Sequence, residues 1–310
     1  MKRGLIMIPY AYLEEYNTSV NMVQGKAFDL YMKNCCVASV SAKYNCGENT
    51  DVAIVTNIDI PAYYREIVEQ RGVVIIKYPF DEFCFDKHYR WSLAFYKLCA
   101  LSKAVKNLHY DYYAYMDSDV YVQGDFDNIW RECDYNMQMY DINEGLNSAD
   151  YCRVLNEFTA FDTSIKGGIT HYGGEFYAAT SSHAKLFVAE CERIYKEMLE
   201  RNFSTTQGDE FITSIAAYRL KSIVKNAAPY VYRFWTGTYR LINTNYKLSP
   251  VVVLHCPAEK KYGIITIFRR YISKGKIPSN RVVHRLLHLN TPSLLTIIKI
   301  IVKKILNKPL

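Results

Sequence analysis

The chain has 310 residues, with 38 Lys+Arg against 31 Asp+Glu and a formal net charge of +7. Half of it is hydrophobic and only 14 Gly and 9 Pro are present, which excludes disordered, collagenous and low-complexity architectures. Ten of the basic residues and no acid lie within 263–310, leaving 28 bases against 31 acids in a body that does not suit a nucleic-acid-binding core.

The first element is the apolar run Leu5–Ile8, closed by Pro9-Tyr10. It is too short for a signal-peptide core or a membrane span and suits a buried strand. Val20 to Val40 has helical spacing, and Tyr44–Thr50 is a loop. Asp51–Thr56 is a second strand, and Pro61 opens a helix to Arg71, where its missing N–H costs nothing. Gly72 ends that helix, and Val73–Tyr78 is a third strand. Trp91–Asn107 is helical and Tyr112–Met116 is a fourth strand. This alternation predicts a parallel sheet with helices on both faces. Segment 123–172 has weak periodicity and is expected to be loops and short elements over a site. Gly173–Ala179 is a strand, Ser181/Ser182 cap a helix to about Arg201, Gly208-Asp209-Glu210 opens another to Leu220, and Val251–His255 is a further strand.

The strongest chemical signal is Asp117-Ser118-Asp119, where an apolar strand leaves the sheet. Ligands of open α/β sheets bind outside the carboxyl ends of strands. Residues i and i+2 of an extended segment point the same way, so Asp117 and Asp119 can face one ligand. Two such charges repel unless a cation or hydroxyl donors balance them, and a hard divalent cation bridging phosphates does so. A pair of surface carboxylates in a turn is the alternative.

This motif, with strand–helix–strand units before it, resembles glycosyltransferases of the GT-A fold, with families 8 and 6 the nearest patterns. The resemblance spans roughly residues 4–262. It implies a Rossmann-like, mostly parallel α/β sheet and a D-x-D that binds Mn²⁺ (or Mg²⁺) and a UDP-sugar diphosphate. Asp119 is then the firmer ligand, and Asp117 also reaches ribose, with Ser118 between them. The stretch Tyr10-Ala11-Tyr12 matches the segment that lies against uracil, where a ring can stack on a base. Thr56 and Asn57 end the neighbouring strand with groups suited to ribose or a base edge. His255 and Lys261 match the six-residue spacing at which family 8 places a third metal ligand and a diphosphate-gripping lysine. Pro257-Ala258 replaces the family's glycine, and Lys260 is a rival for the phosphate role. Gly173-Gly174, a helix, then Asp209-Glu210 follow the family 6 order for a site near the anomeric carbon. Glu210 is the first choice as functional carboxylate, then Asp209, although Gly208 departs from the family's histidine. Acids in a first helical turn also simply meet the helix dipole. Arg90 is a candidate near the donor phosphates, whereas Lys97 reads as a solvated helix face. Tyr151, Phe158, Phe161, His171 and Tyr172 are candidate acceptor contacts.

Residues 1–262 are expected to form the catalytic domain and 263–310 a basic C-terminal region. Within Ser293–Leu306, Leu294, Ile298, Ile301, Val302, Ile305 and Leu306 share one helical face, with Lys299 and Lys303 on the other. Fourteen residues make about 21 Å of helix, short of a roughly 30 Å hydrocarbon core. The helix therefore suits an anionic membrane surface, with packing on the domain as its rival. Nine scattered cysteines without CxxC spacing suit free thiols in a reducing compartment. The expectation is a cytoplasmic enzyme, peripheral at the inner membrane face, acting on a glycan or lipid-linked glycan in cell-surface polysaccharide synthesis with retention, and taking no nucleic-acid partner. A nucleotidyltransferase is the main rival, although Pro9–Tyr16 lacks its Gly-rich loop. A non-catalytic glycan-binding protein is the other.

Overall fold

The computed structural model describes residues 2–13, 27–86, 89, 91–142, 148–234, 251–289, 298, 301, 302 and 305. The elements in chain order are β1 (Gly4–Tyr10), α1 (Ala27–Asn45), β2 (Thr50–Thr56), α2 (Ala62–Glu69), β3 (Val74–Lys77), α3 (Tyr96–Asn107), β4 (Tyr112–Met116), β5 (Val120–Val122) and α4 (Asp127–Cys133). They continue with β6 (Met137–Asp141), α5 (Ser148–Phe161), β7 (Tyr172–Thr180), α6 (Ser181–Glu200), α7 (Asp209–Arg219), β8 (Val224–Asn226), β9 (Val231–Arg233), β10 (Val253–His255), α8 (Gly263–Lys274) and α9 (Asn280–Leu286).

The central sheet has the order β3-β2-β1-β4-β7-β6-β8. The first four strands are parallel, as their separation by helices requires. Strand β7 runs antiparallel to both β4 and β6, and β8 is parallel to β6. All seven residues of β1 are buried. Its alternation sends Ile6 and Ile8 into a core under α1 and α8, and Leu5 and Met7 into a second core under α3, α6 and α7. A smaller sheet, β5-β10-β9, sits beside the carboxyl end of β4.

Segment 123–172 differs from its expectation. It contains β6, which joins the central sheet, and α5, whose Val154, Phe158 and Phe161 are buried at helical spacing. Phe158 stacks on Phe211, with ring centroids 5.4 Å apart, and Phe161 lies edge-on to the same ring. These two rings are core rather than acceptor contacts. Tyr172 is half-buried against the same core.

Residues 263–289 of the basic region pack on the body. Ile264, Ile267, Phe268, Val283 and Leu287 join the core that holds α1. All nine cysteines are free thiols. The expected helix start at Val20 lies outside the described residues, and α1 runs on to Asn45.

Candidate active site

The antiparallel setting of β7 creates the site. Its entry end lies beside the exit end of β4, with Met116 opposite Phe176. The amide of Asp117 donates to the Glu175 carbonyl at 3.1 Å. From the other side β10 ends beside the start of β5, and the Cys256 amide donates to the Asp119 carbonyl at 3.0 Å. Two sheets therefore bring Asp117, Asp119 and His255 together, with one ligand atom from each within 4.8 Å of the others.

His255 Nε2 lies 3.2 Å from Asp119 Oδ2 and 3.9 Å from Asp117 Oδ2. Its Nδ1 lies 3.2 Å from Glu175 Oε1. Lys260 Nζ is 3.0 Å from Asp119 Oδ2. Despite these charges, Asp119 Oδ2 is buried without an aligned hydrogen bond. Burial alone would raise the Asp119 carboxyl, but the Lys260 and His255 charges outweigh it and hold the group far below the usual carboxylate range. Burial opposes the charged His255 ring, yet Asp119 and Glu175 lift it to about 9. Two carboxylates and an imidazole that offer one ligand atom each, all within 4.8 Å of one another, fit a divalent cation.

A second cluster adjoins it. Lys97 Nζ lies 2.9 Å from Asp117 Oδ1, 2.9 Å from Asp209 Oδ2 and 2.9 Å from the Gly174 carbonyl. The reading of Lys97 as a solvated helix face is thus corrected: it is buried at the centre of the site. Burial works against its charge, but Asp117 and Asp209 raise its pKa overall. One ammonium shared by two carboxylates cannot satisfy both fully. Burial first, and the neighbouring Glu210 and Asp117 charges, push Asp209 up to about 6 despite Lys97. The double glycine makes this packing possible. A Cβ on Gly174 would sit 2.2 Å from Asp209 Oδ2 and 2.6 Å from Lys97 Nζ, and one on Gly173 would sit 1.7 Å from Glu175 Oε2. The space these glycines leave beside their backbone is filled by the protein's own charges.

Glu210 faces His171, with Nε2 3.2 Å from Oε2, and lies 3.5 Å from Arg233 Nη2. Burial raises its pKa, but the His171 hydrogen bond and the Arg233 charge leave it lowered overall. Arg233 also forks onto Glu175 at 2.6 and 2.8 Å. Against burial, this guanidinium holds Glu175 at about 2.

A cavity of about 350 Å³ opens over these groups. Its lining includes Tyr10, Ala11, Lys97, Asp117, Ser118, Asp119, His171, Asp209, Glu210 and Lys260. Other expected contacts fall elsewhere. Thr56 is fully buried. The Asn57 amide clamps the Tyr12 backbone, accepting from its N–H at 2.9 Å and donating to its carbonyl at 3.0 Å. These residues brace the loop after β1, because β1 and β2 end side by side at Tyr10 and Thr56. Lys261 is exposed, and Lys260 is the lysine that enters the cavity. Arg90 lies outside the described residues, as does the side chain of Tyr151. Glu175 and Arg233 escaped sequence reading. An acid amid the apolar residues of GGEFYAA was a usable signal, whereas Arg233 carried none.

No family model and no curated protein matches this sequence. Among solved structures, the apo form of mouse xyloside xylosyltransferase 1 superposes with a TM-score of 0.50 at 7% identity, covering 84% of this chain and 98% of that one. The fold matches that of a glycosyltransferase. At this identity the likeness speaks for the fold, and the site residues must carry any functional argument.

Proposed function

We propose that the protein is a divalent-cation-dependent glycosyltransferase that takes a sugar from a UDP-sugar, with retention, to a glycan or lipid-linked glycan acceptor. The observation that carries this reading is the convergence of Asp117, Asp119 and His255 at the carboxyl end of β4, beside the cavity. Mn²⁺ held by these three side chains would act as a Lewis acid on the departing diphosphate. Lys260, which lines the cavity and pairs with Asp119 at 3.0 Å, is an ammonium suited to a phosphate. Tyr10 and Ala11 at the cavity wall suit the base end of a nucleotide. Lys97 holds Asp117 and Asp209 in register, so the donor end and the acceptor end of the site share one cation. Glu210, ionised and lining the cavity, is the carboxylate assigned to the anomeric centre, with Asp209 behind it.

Calorimetric titration of UDP with and without Mn²⁺ tests the core of this reading. Binding should require the cation, and Asp119→Ala should abolish that requirement together with the affinity. Retained Mn²⁺-dependent UDP binding in Asp119→Ala would remove the assignment. Mn²⁺-dependent hydrolysis across a panel of UDP-sugars would identify the donor, and no turnover of any of them would favour a non-catalytic glycan binder.

The reading extends to a peripheral position on an anionic membrane surface at the cytoplasmic face, in cell-surface polysaccharide synthesis, with residues 1–262 as the catalytic unit. It is supported by the exposed apolar side chains Ile298, Ile301, Val302 and Ile305, which the sequence interleaves with Lys299, Lys303 and Lys304. No helix among the described residues is long and apolar enough to cross a membrane.

A further inference from the structure

We propose that Glu175 and Arg233 are positioning residues that aim His255 at the cation site, an inference that rests on the cation reading above. A histidine that ligates a metal through one ring nitrogen commonly donates the other N–H to a carboxylate, which fixes the ring and raises its basicity. His255 has this arrangement. Its Nε2 faces Asp119 and Asp117, and its Nδ1 meets Glu175 Oε1 at 3.2 Å. An ionised carboxylate only accepts, so Nδ1 carries the hydrogen and Nε2 is left for the ligand.

Several features keep Glu175 in this role. Its side chain is fully buried, where an unpaired carboxylate would be costly. The Arg233 fork supplies the counter-charge with two parallel contacts at 2.6 and 2.8 Å, a geometry a lysine would not reproduce. Gly173 leaves the space into which Glu175 folds, since a Cβ there would overlap Oε2 at 1.7 Å. The Glu175 carbonyl accepts from the Asp117 amide, so the same residue touches two of the three ligands. Arg233 reaches Glu210 as well, at 3.5 Å. The series His255–Glu175–Arg233–Glu210 therefore spans from the cation ligands to the carboxylate at the other side of the cavity.

The probe is Mn²⁺ alone, followed by electron paramagnetic resonance of the free ion, on the full chain. Glu175→Gln keeps the shape but removes the charge, and should weaken Mn²⁺ binding about 10- to 100-fold. The double variant Glu175→Leu/Arg233→Met replaces the buried ion pair with apolar groups and guards against loss of fold through an uncompensated charge. It should bind Mn²⁺ at least as weakly as Glu175→Gln, with a melting temperature near that of the wild type. In the Mg²⁺-loaded wild type, the ¹⁵N shifts of the His255 ring should report a protonated Nδ1, and this preference should be lost in the double variant. Unchanged Mn²⁺ affinity in either folded variant overturns the positioning role while leaving the cation site in place. Affinity that falls only in step with melting temperature shows a purely structural ion pair and also overturns it. A wild-type protein that binds no Mn²⁺ overturns the cation reading and this inference together.

Discussion

Two charged clusters use the same side-chain chemistry in different surroundings. On the outer side of the helices, Arg219 of α7 meets Asp162, Glu190 and Glu197 at 2.9–3.1 Å and ties α6 and α7 to the end of α5. At the carboxyl end of β4, Lys97, Lys260 and Arg233 meet Asp117, Asp119, Glu175, Asp209 and Glu210. Acids outnumber bases in both. Around Arg219 the acids keep partial exposure, and Arg193 pairs with Glu190 and Glu197 as well. At the site, Asp119 and Glu175 are almost wholly buried. Surplus negative charge there has to be met by a proton or a cation. The difference teaches that burial, more than the number of acids, marks a place built to receive a positive ion.

The comparison can be broken in several ways, taken from the largest expected effect to the smallest. Lys97→Met leaves the buried Asp209 and the half-buried Asp117 without their ammonium. It should cost about 3–5 kcal/mol in denaturant unfolding. A loss below about 1 kcal/mol would show that the interior behaves like the surface. Next comes Asp209, whose folded value of about 6 lies above its ordinary 3.8. Between these values the folded protein binds a proton that the unfolded chain does not. The stabilisation is therefore complete below about pH 4 and is lost as pH rises through about 6, a span on the order of 3 kcal/mol. Subtracting the Asp209→Asn stability profile from that of the wild type should isolate this fall, and a flat difference would refute it. Arg219→Ala should cost on the order of 2 kcal/mol and leave Mn²⁺ affinity unchanged. Last, deleting residues 290–310 should lower binding to anionic vesicles in a sedimentation assay while leaving Mn²⁺–UDP affinity within about twofold, because the described residues that line the cavity run from Pro9 to Lys260.

Much of this was legible from residues alone, for identifiable reasons. The parallel strands are continuous apolar runs between helices, and β4 ends where its apolar run meets Asp117. His255 was legible because it terminates a run of four apolar residues and carries a ligand's chemistry. Lys97 was misread although the pattern held a clue. It shares its helix face with Leu93, Ala100, Leu101 and Ala104, all buried, and a lysine on an apolar face has to find an acid inside. The α5 helix was masked by polar residues between Val154, Phe158 and Phe161. The pairing of Glu175 with Arg233 was beyond reach, because their contact is set by how the smaller sheet meets the larger, and no local spacing encodes that.

The position of β10 has a consequence for how the protein is made. This strand holds His255 against Asp119 by pairing with β5, and Lys260 follows it. No fragment that ends before His255 carries the full donor set, although Asp117 and Asp119 are made far earlier. On the ribosome, the two aspartates must wait until most of the chain has emerged. Cation binding is then a late event of synthesis, and a prematurely terminated chain would have the motif without the site.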